Sequence, residues 1–317
     1  MESKKVLVTG SSGFVGANLV RRLLKENFEV HVVLREQSNT WRLNEVMQDL
    51  NVVRDDLLNF EKLNSKVNEI KPEVVFHLAT FGGHGFQKDF DLIFQSNVVG
   101  TFNLAKACLN VGVSRFINTG SSSEYGLKEK PMKETDVLEP NSLYCVSKAF
   151  ASNLFSFLSE NGLPSTTLRL FSPFGPFDEK TRLVSFVIFS CLENKNLKLF
   201  SPNLVRDYVF IDDVIDAYLK ALNSEKAIGE IINVGSGKQT LIKELMEKVI
   251  ELTDSSSIIE SASPVPGAVH GAKMESKVWV ADVSKARKLL NWQSETSLND
   301  GLKKSIEWFK NNLELYK

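Results

Sequence analysis

The sequence predicts an α/β fold. A doubly wound parallel sheet should carry helices on both faces, with a smaller α/β part in the C-terminal half interleaved with it. Three observations carry that expectation. Short β-branched runs alternate with helical stretches through the first half of the chain, which implies right-handed crossovers between parallel strands. The run Val74-Val75-Phe76 is apolar without interruption, as in a strand covered on both faces. A glycine-rich turn joins the first strand to the first helix.

Element by element, Lys5–Thr9 reads as a strand, Phe14–Asn27 as an amphipathic helix, and Glu29–Leu34 and Val52–Arg54 as strands. Phe60–Ile70 reads as a helix, Glu73–Leu78 as a strand, Asp91–Asn110 as one long helix and Arg115–Thr119 as a strand. The polar stretch Glu124–Ser142, with Pro131 and Pro140, is expected to be a loop. Leu143–Ser159 is helical and Ser165–Phe171 is a further strand. From Ser172 the pattern loosens at Pro173, Gly175 and Pro176. Leu183–Glu193 then reads as a helix and Val205–Ile211 as a strand, with Asp212 expected to cap a helix running to Asn223. Ile231–Val234 is a strand, and a helix starts at Leu241. Ser261–Ser276, with Pro264, Pro266, Gly267 and Gly271, reads as a mobile surface loop.

Composition narrows the function. The 317 residues are 43% hydrophobic and 24% charged, the balance of a globular enzyme. Lys and Arg total 38 against 39 Asp and Glu, a net charge of −1, which speaks against a nucleic-acid partner. No apolar run approaches the roughly 20 residues of a membrane span, so no membrane association is expected. The lead into Val6–Thr9 is short and polar, unlike a secretory segment. Cys108, Cys145 and Cys191 lie far apart without CxxC spacing, and the 4 histidines are scattered, so neither disulfides nor a metal site is expected. A cytoplasmic protein with room for a catalytic cleft is the expectation.

The turn Thr9-Gly10-Ser11-Ser12-Gly13-Phe14-Val15-Gly16 has G-x-x-G-x-x-G spacing rather than G-x-G-x-x-G. Glycines there allow a tight bend and close backbone approach, and the helix N-terminus offers free N–H groups to a pyrophosphate. Gly10, Ser12, Gly13, Phe14, Val15 and Gly16 are therefore candidate cofactor contacts in a Rossmann-type sheet. A glycine cluster that only makes a turn would look the same in isolation. The second strand ends at Arg35, with Ser38 close behind. An acidic residue at that place hydrogen-bonds an adenosine ribose, whereas arginine accommodates a 2′-phosphate. This favours NADP(H) and leaves NAD(H) possible; a solvated arginine paired with Glu36 is the plainer alternative. Residues 1–171, with strand segments near 205–234, are expected to form the dinucleotide-binding part, and 172–317 mostly the substrate part.

Tyr144-Cys145-Val146-Ser147-Lys148 places a phenol and an ammonium one helical turn apart. The cation is expected to favour the phenolate and draw the phenol from its usual value of about 10 toward neutrality, where proton transfer is efficient. Upstream, Arg115–Thr119 runs into Gly120-Ser121-Ser122-Ser123, which puts hydroxyls at a strand's carboxyl end, where open α/β sheets bind ligands.

Taken together these motifs resemble the extended short-chain dehydrogenase/reductase superfamily, in its nucleotide-sugar branch. The matching residues include Thr9-Gly-x-x-Gly-x-x-Gly16, Asp56, His77-Leu78-Ala79-Thr80 and Asn97 in Ser96–Thr101. Ser121 to Tyr125-Gly126, Tyr144-x-x-x-Lys148, Leu168–Pro176 and Arg206–Val214 continue the match, which then runs through Ile232–Gly235 and Asp282 to Trp292. The resemblance implies that Tyr144 is the proton donor or acceptor, that Lys148 tunes it and holds the nicotinamide ribose, and that Ser121 completes the catalytic set. It implies adenine contacts from Asp56 and Leu57, and further cofactor contacts from Leu78, Ala79, Thr80, Asn97, Thr119 and Phe171. On the substrate it implies Arg206 at the pyrophosphate, with Ser122, Ser123 and Ser172 nearby. His84, in the loop Phe81–Gly85, is a candidate sugar contact or second acid–base group, and a solvated loop histidine fits equally well.

The superfamily includes dehydratases, epimerases and reductases, and the fold does not choose between them. Dehydratase relatives carry an acid–base pair directly after the active-site hydroxyl residue; here those positions are Ser122 and Ser123, with Glu124 one step further. Arg35 favours reduction of a 4-keto-6-deoxy nucleotide-diphospho-sugar, with hydride from NADPH and a proton from Tyr144. A 4-epimerase with tightly bound NAD is the alternative; a 4,6-dehydratase and a non-catalytic cofactor-binding regulator stand behind it. The resemblance also implies a homodimer, paired through apolar faces of Asp91–Asn110 and Leu143–Ser159.

Overall fold

A computed structural model describes residues 3–83, 87–262 and 277–316. His84 and all of the loop Ser261–Ser276 beyond Ala262 lie outside the described residues. In chain order the first half runs β1 (Lys5–Thr9), α1 (Phe14–Lys25), β2 (Glu29–Leu34), a 3-10 helix (Trp41–Asp49), β3 (Asn51–Arg54), α2 (Phe60–Ile70) and β4 (Val74–His77). It continues through α3 (Phe90–Phe94), a π-helical turn (Gln95–Val99), α4 (Gly100–Val111), β5 (Arg115–Ser121), a 3-10 turn (Ser122–Tyr125), α5 (Leu143–Glu160) and β6 (Ser165–Leu170). The second half holds β7 (Pro173–Phe174), α6 (Leu183–Leu192), β8 (Leu197–Leu199), β9 (Val205–Arg206), β10 (Val209–Phe210) and α7 (Ile211–Asn223). After these come β11 (Ile231–Val234), β12 (Thr240–Leu241), α8 (Ile242–Thr253), β13 (Ile259–Ser261), α9 (Ser284–Leu290) and α10 (Leu298–Asn311).

Seven parallel strands form the main sheet in the order β11-β6-β5-β4-β1-β2-β3, the doubly wound arrangement expected. Strand order reverses between β1 and β4, so a crevice opens beyond their carboxyl ends. Period-two alternation sorts the core into two layers. Val6 and Val8 pack on one face with Leu19, Val20 and Ile215, while Leu7 points to the other with Leu63, Leu104 and Phe155. The late strand β11 pairs with β6 at the sheet edge, which is how the C-terminal half interleaves with the first. Three two-stranded sheets, β10-β7, β12-β9 and β13-β8, carry the smaller part. Among the described residues no helix is long and apolar enough to cross a membrane.

Several elements depart from expectation for local reasons. The helix Asp91–Asn110 is broken by the π-helical turn Gln95–Val99, which aims Asn97 inward. The strand Val205–Ile211 divides into β9 and β10 because Asp207, fully buried between them, accepts from the backbone N–H groups of Ser236 (2.7 Å), Ala281 (3.0 Å) and Gly237 (3.1 Å). Asp212 does not cap α7: it lies inside the first turn, and Phe210 occupies the cap with no side-chain hydrogen bond. There its charge still complements the helix dipole.

Candidate active site

The glycine turn is built by close approach. Gly10 has φ +70°, and a Cβ on it would lie 2.5 Å from the Ala79 nitrogen at the end of β4. At Gly16 a Cβ would come 2.2 Å from the Gly10 carbonyl oxygen, so only glycine lets α1 start this close to the turn. At Gly13 a Cβ would meet only that same oxygen, at 3.3 Å, which leaves a shallow cradle. Gly13 caps α1 without any side-chain hydrogen bond, so the first N–H groups of the helix have no side-chain cap.

From this turn a single cleft of about 550 Å³ runs along the carboxyl ends of the strands. Gly10, Ser12, Gly13, Phe14, Val15 and Gly16 line it together with Arg35, Ser38, Asp56, Leu57, Leu78, Ala79, Thr80 and Thr119. So do Ser121, Ser122, Ser123, Tyr144, Lys148 and Ser172. At the β2 end, the Arg35 amide donates to Ser38 Oγ at 3.0 Å and the Ser38 amide donates back to the Arg35 carbonyl at 3.0 Å. The tight turn leaves the Arg35 side chain exposed at the cleft. Asp55, which sequence reasoning passed over, also lines this end. It is buried, and its Oδ2 has no hydrogen-bond partner while Oδ1 accepts from the Asp56 amide at 2.8 Å.

At the other end the three catalytic candidates meet. Ser142 caps α5, its Oγ accepting from the Cys145 amide at 3.2 Å, which sets Tyr144 and Lys148 on the first turns of that helix. Ser121 closes β5 and caps the following 3-10 turn, with its Oγ 2.7 Å from Ser123 Oγ. The electrostatics differ from expectation. Burial pushes the Tyr144 phenol up to about 12, although a hydrogen bond from Ser121 and the Arg182 charge pull it back. Burial also draws the Lys148 ammonium down to about 8, opposed by Glu124. Desolvation of both partners therefore outweighs the attraction expected from their spacing. His77, beneath the same region, is bracketed by Thr9 Oγ1 at 2.7 Å and Thr101 Oγ1 at 2.9 Å, and burial holds it neutral, down to about 3.

Glu124 turns away from the cleft. It is fully buried, accepts the Ser121 amide on Oε1 at 2.7 Å, and receives Arg169 Nε and Ser152 Oγ on Oε2, each at 2.7 Å. The 3-10 turn Ser122–Tyr125 carries it to the protein side, one residue beyond Ser123.

Three expected contacts do not line the cleft. Asn97 is buried and works as a latch: its Nδ2 donates to the Phe81 carbonyl at 2.8 Å and its Oδ1 accepts the Phe81 amide at 2.7 Å and the Thr80 hydroxyl at 3.2 Å. It thus shapes the wall without reaching the cavity. Phe171 is wholly buried against Tyr125, Met132 and Trp279, with its amide bonded to Val234. Arg206 lies on β9, its guanidinium 4.9 Å over the Trp279 ring and donating to the Val205 carbonyl at 2.7 Å. Conversely Phe81, Gln87, Glu179 and Arg182 line the cleft without having been singled out. Arg182 pairs with buried Asp178 at 3.2 Å; burial pushes that carboxyl up to about 6 against the pull of the guanidinium. The available signal was a cation directly ahead of a strongly apolar helix, in the loop that follows Pro176.

Known proteins share this fold. The family described as NAD dependent epimerase/dehydratase matches residues 6–235. A UDP-glucuronate 4-epimerase of Thermodesulfobacterium geofontis is 32% identical over 98% of either chain. The crystal structure of a UDP-glucose 4-epimerase from Thermotoga maritima with UDP-glucose superposes with a TM-score of 0.89 at 26% identity, covering 98% of this chain and 99% of that one. A UDP-glucuronic acid 4-epimerase from Bacillus cereus, in complex with UDP-glucuronic acid and NAD, superposes at 0.85 with 30% identity, covering 97% and 99%.

Proposed function

The chain belongs to the NAD dependent epimerase/dehydratase family, and from that premise we propose that it is a UDP-sugar 4-epimerase working with NAD(H) held in the cleft. The observation that carries this reading is the convergence of Ser121, Tyr144 and Lys148 on the cleft that starts at the glycine turn. The cradle at Gly13 and the unpartnered Asp55 oxygen fit a dinucleotide with amide and hydroxyl donors to satisfy. Relatives named as 4-epimerases, one of them with NAD bound, support the choice of reaction and of NAD over NADP.

When bound, the oxidised nicotinamide supplies a positive charge and a carbon that takes up and returns hydride. The protein's part is the proton. Tyr144 takes the proton of the sugar's 4-hydroxyl and returns it after the keto sugar has turned over. Ser121 holds that same oxygen while steadying the phenol. Lys148, protonated at pH 7, favours the ionised phenol. Burial raises Tyr144 so far that added positive charge is needed to reach it, which suits a cycle that begins with oxidised cofactor. A 4,6-dehydration gains no support, because Ser122 and Ser123 stand where acid–base carboxylates would, and Glu124 is spent on Arg169.

One observation favours a second reading. Arg35 and Ser38 at the adenosine end suit a 2′-phosphate, as a NADPH-dependent 4-ketoreductase acting on a 4-keto-6-deoxy nucleotide sugar would require. The enzyme in this reading is a cytoplasmic homodimer, and exposed Leu92, Phe94, Phe102, Phe150 and Phe157 on α3, α4 and α5 supply apolar faces for pairing. Residues 1–171 with the segments near 205–234 would hold the dinucleotide, and 172–317 mostly the sugar nucleotide. The test is direct. Purified protein with catalytic NAD+ should interconvert UDP-glucose or UDP-glucuronate with its 4-epimer without net NADH. Oxidation of NADPH by a 4-keto-6-deoxy sugar nucleotide, with no epimerisation, overturns the epimerase in favour of the reductase.

A further inference from the structure

Arg42 sits in the 3-10 helix Trp41–Asp49, behind the cleft and only 4% exposed. Each of its three guanidinium nitrogens has a separate acceptor. Nη1 donates to the Ser12 carbonyl at 3.3 Å, within the glycine turn. Nε donates to the Phe177 carbonyl and Nη2 to Glu179 Oε1, each at 2.7 Å. Ser12 lines the cleft at the glycine turn, and Glu179 and Arg182 line it from the loop after β7. One buried planar group therefore bridges two walls of the same cavity.

The loop it holds is under backbone strain. Phe177 has φ +69°, a conformation costly for an aromatic residue unless its surroundings over-determine it. They do so here: Trp308 packs 4.5 Å from its ring, Arg21 lies 4.0 Å over its face, and Tyr316 donates to the Asp178 carbonyl at 2.9 Å. Arg42 is the member of this set that also reaches the glycine turn. An anion on the turn's amides fixes the direction of the Ser12 carbonyl, and the rigid fork carries that order to Phe177 and Glu179. Lysine would keep the charge and lose the fork.

Resting on the reading of the cleft as a dinucleotide and sugar-nucleotide site, we propose that Arg42 is a positioning residue that makes the two ligands bind cooperatively, by tying the glycine turn to the loop bearing Glu179 and Arg182. Ordering one end lowers the cost of ordering the other, and the coupling is the same in both directions. The experiment is calorimetric titration of the full chain with NAD+, without and with saturating UDP-glucuronate. The wild-type protein should bind NAD+ at least about fivefold tighter when UDP-glucuronate is present. In Arg42→Lys that ratio should fall to within about twofold of one, and in Glu179→Gln, which leaves the buried arginine an amide oxygen, it should fall by about half or more. A merely structural arginine would lower the melting temperature and both affinities while leaving their ratio intact. An unchanged ratio in the folded variants overturns the inference; if Arg42→Lys does not fold, Glu179→Gln decides it. Independent binding of the two ligands to the wild type overturns this inference alone. Failure to bind NAD+ overturns the reading of the cleft and this inference with it.

Discussion

Arg169 donates its Nε to Glu124 Oε2 at 2.7 Å, and both side chains are cut off from solvent. The same carboxylate accepts the Ser121 amide and the Ser152 hydroxyl, so it joins the end of β5, the middle of α5 and the end of β6 directly behind Ser121. Removing one partner of a buried pair leaves the other charge uncompensated, at about 3–5 kcal/mol. Glu124→Gln should lose stability on that scale in urea unfolding and also lower kcat, because the one oxygen left cannot serve both the Ser121 amide and the Arg169 guanidinium. A loss under about 1 kcal/mol would mean that the pair contributes only what an exposed one does.

Tyr144 carries the proton in the proposed reaction, so Tyr144→Phe should cut kcat by about two to four orders of magnitude. Dinucleotide affinity, followed by cofactor fluorescence, should change little by comparison. The hydrogen bond from Ser121 pulls the phenol down against its burial. Ser121→Ala should therefore raise the phenol further and move the rising limb of the kcat/KM profile to higher pH. A limb that stays in place would show that Ser121 does not act on the phenol.

His77 makes the fold acid-sensitive. Its folded value is depressed to about 3 from an ordinary value of 6.5, so below pH 6.5 the unfolded chain takes up a proton that the folded one refuses. The stability contributed by the neutral ring is fully present above 6.5 and is lost as the pH falls toward 3. Between pH 7 and pH 5 this one residue should cost about 2 kcal/mol. Urea midpoints at the two pH values should show it, and His77→Asn should flatten that part of the dependence whatever its own baseline stability.

Much of this layout could be read from the residues. The strand β2, the helix α2 and the strand β11 fall where hydrophobic periodicity and turn residues put them, because each buries a face set by its own sequence. The glycine turn was legible because backbone sterics, independent of distant residues, demand glycine there. What escaped depends on partners far along the chain. Asn97 looks like a cleft residue until the π-helical turn folds it onto the Phe81 backbone. The helices α9 and α10 carry no such signal in the sequence reading, and the strand through Asp207 is broken by amides from residues 236, 237 and 281. The rise of Tyr144 was invisible for the same reason: spacing to Lys148 is local, whereas desolvation is set by everything packed around the pair.

Arg35 offers a test between the two cofactors. Its guanidinium is exposed at the cleft, at the end of β2, where an adenosine ribose would lie in this fold. A charge-assisted hydrogen bond to a 2′-phosphate contributes about 1.5–3 kcal/mol. Arg35→Ala should then weaken NADP+ binding by about tenfold or more and leave NAD+ binding within about threefold, since NAD+ has no phosphate for the arginine to hold. Arg35→Asp should go further, with the new carboxylate accepting from the ribose hydroxyls and repelling a phosphate. Titration of the three proteins with both dinucleotides measures this. A wild type that binds NAD+ tighter than NADP+ despite Arg35 keeps the epimerase reading. A wild type that prefers NADP+, and loses that preference with Arg35, moves the balance to the reductase.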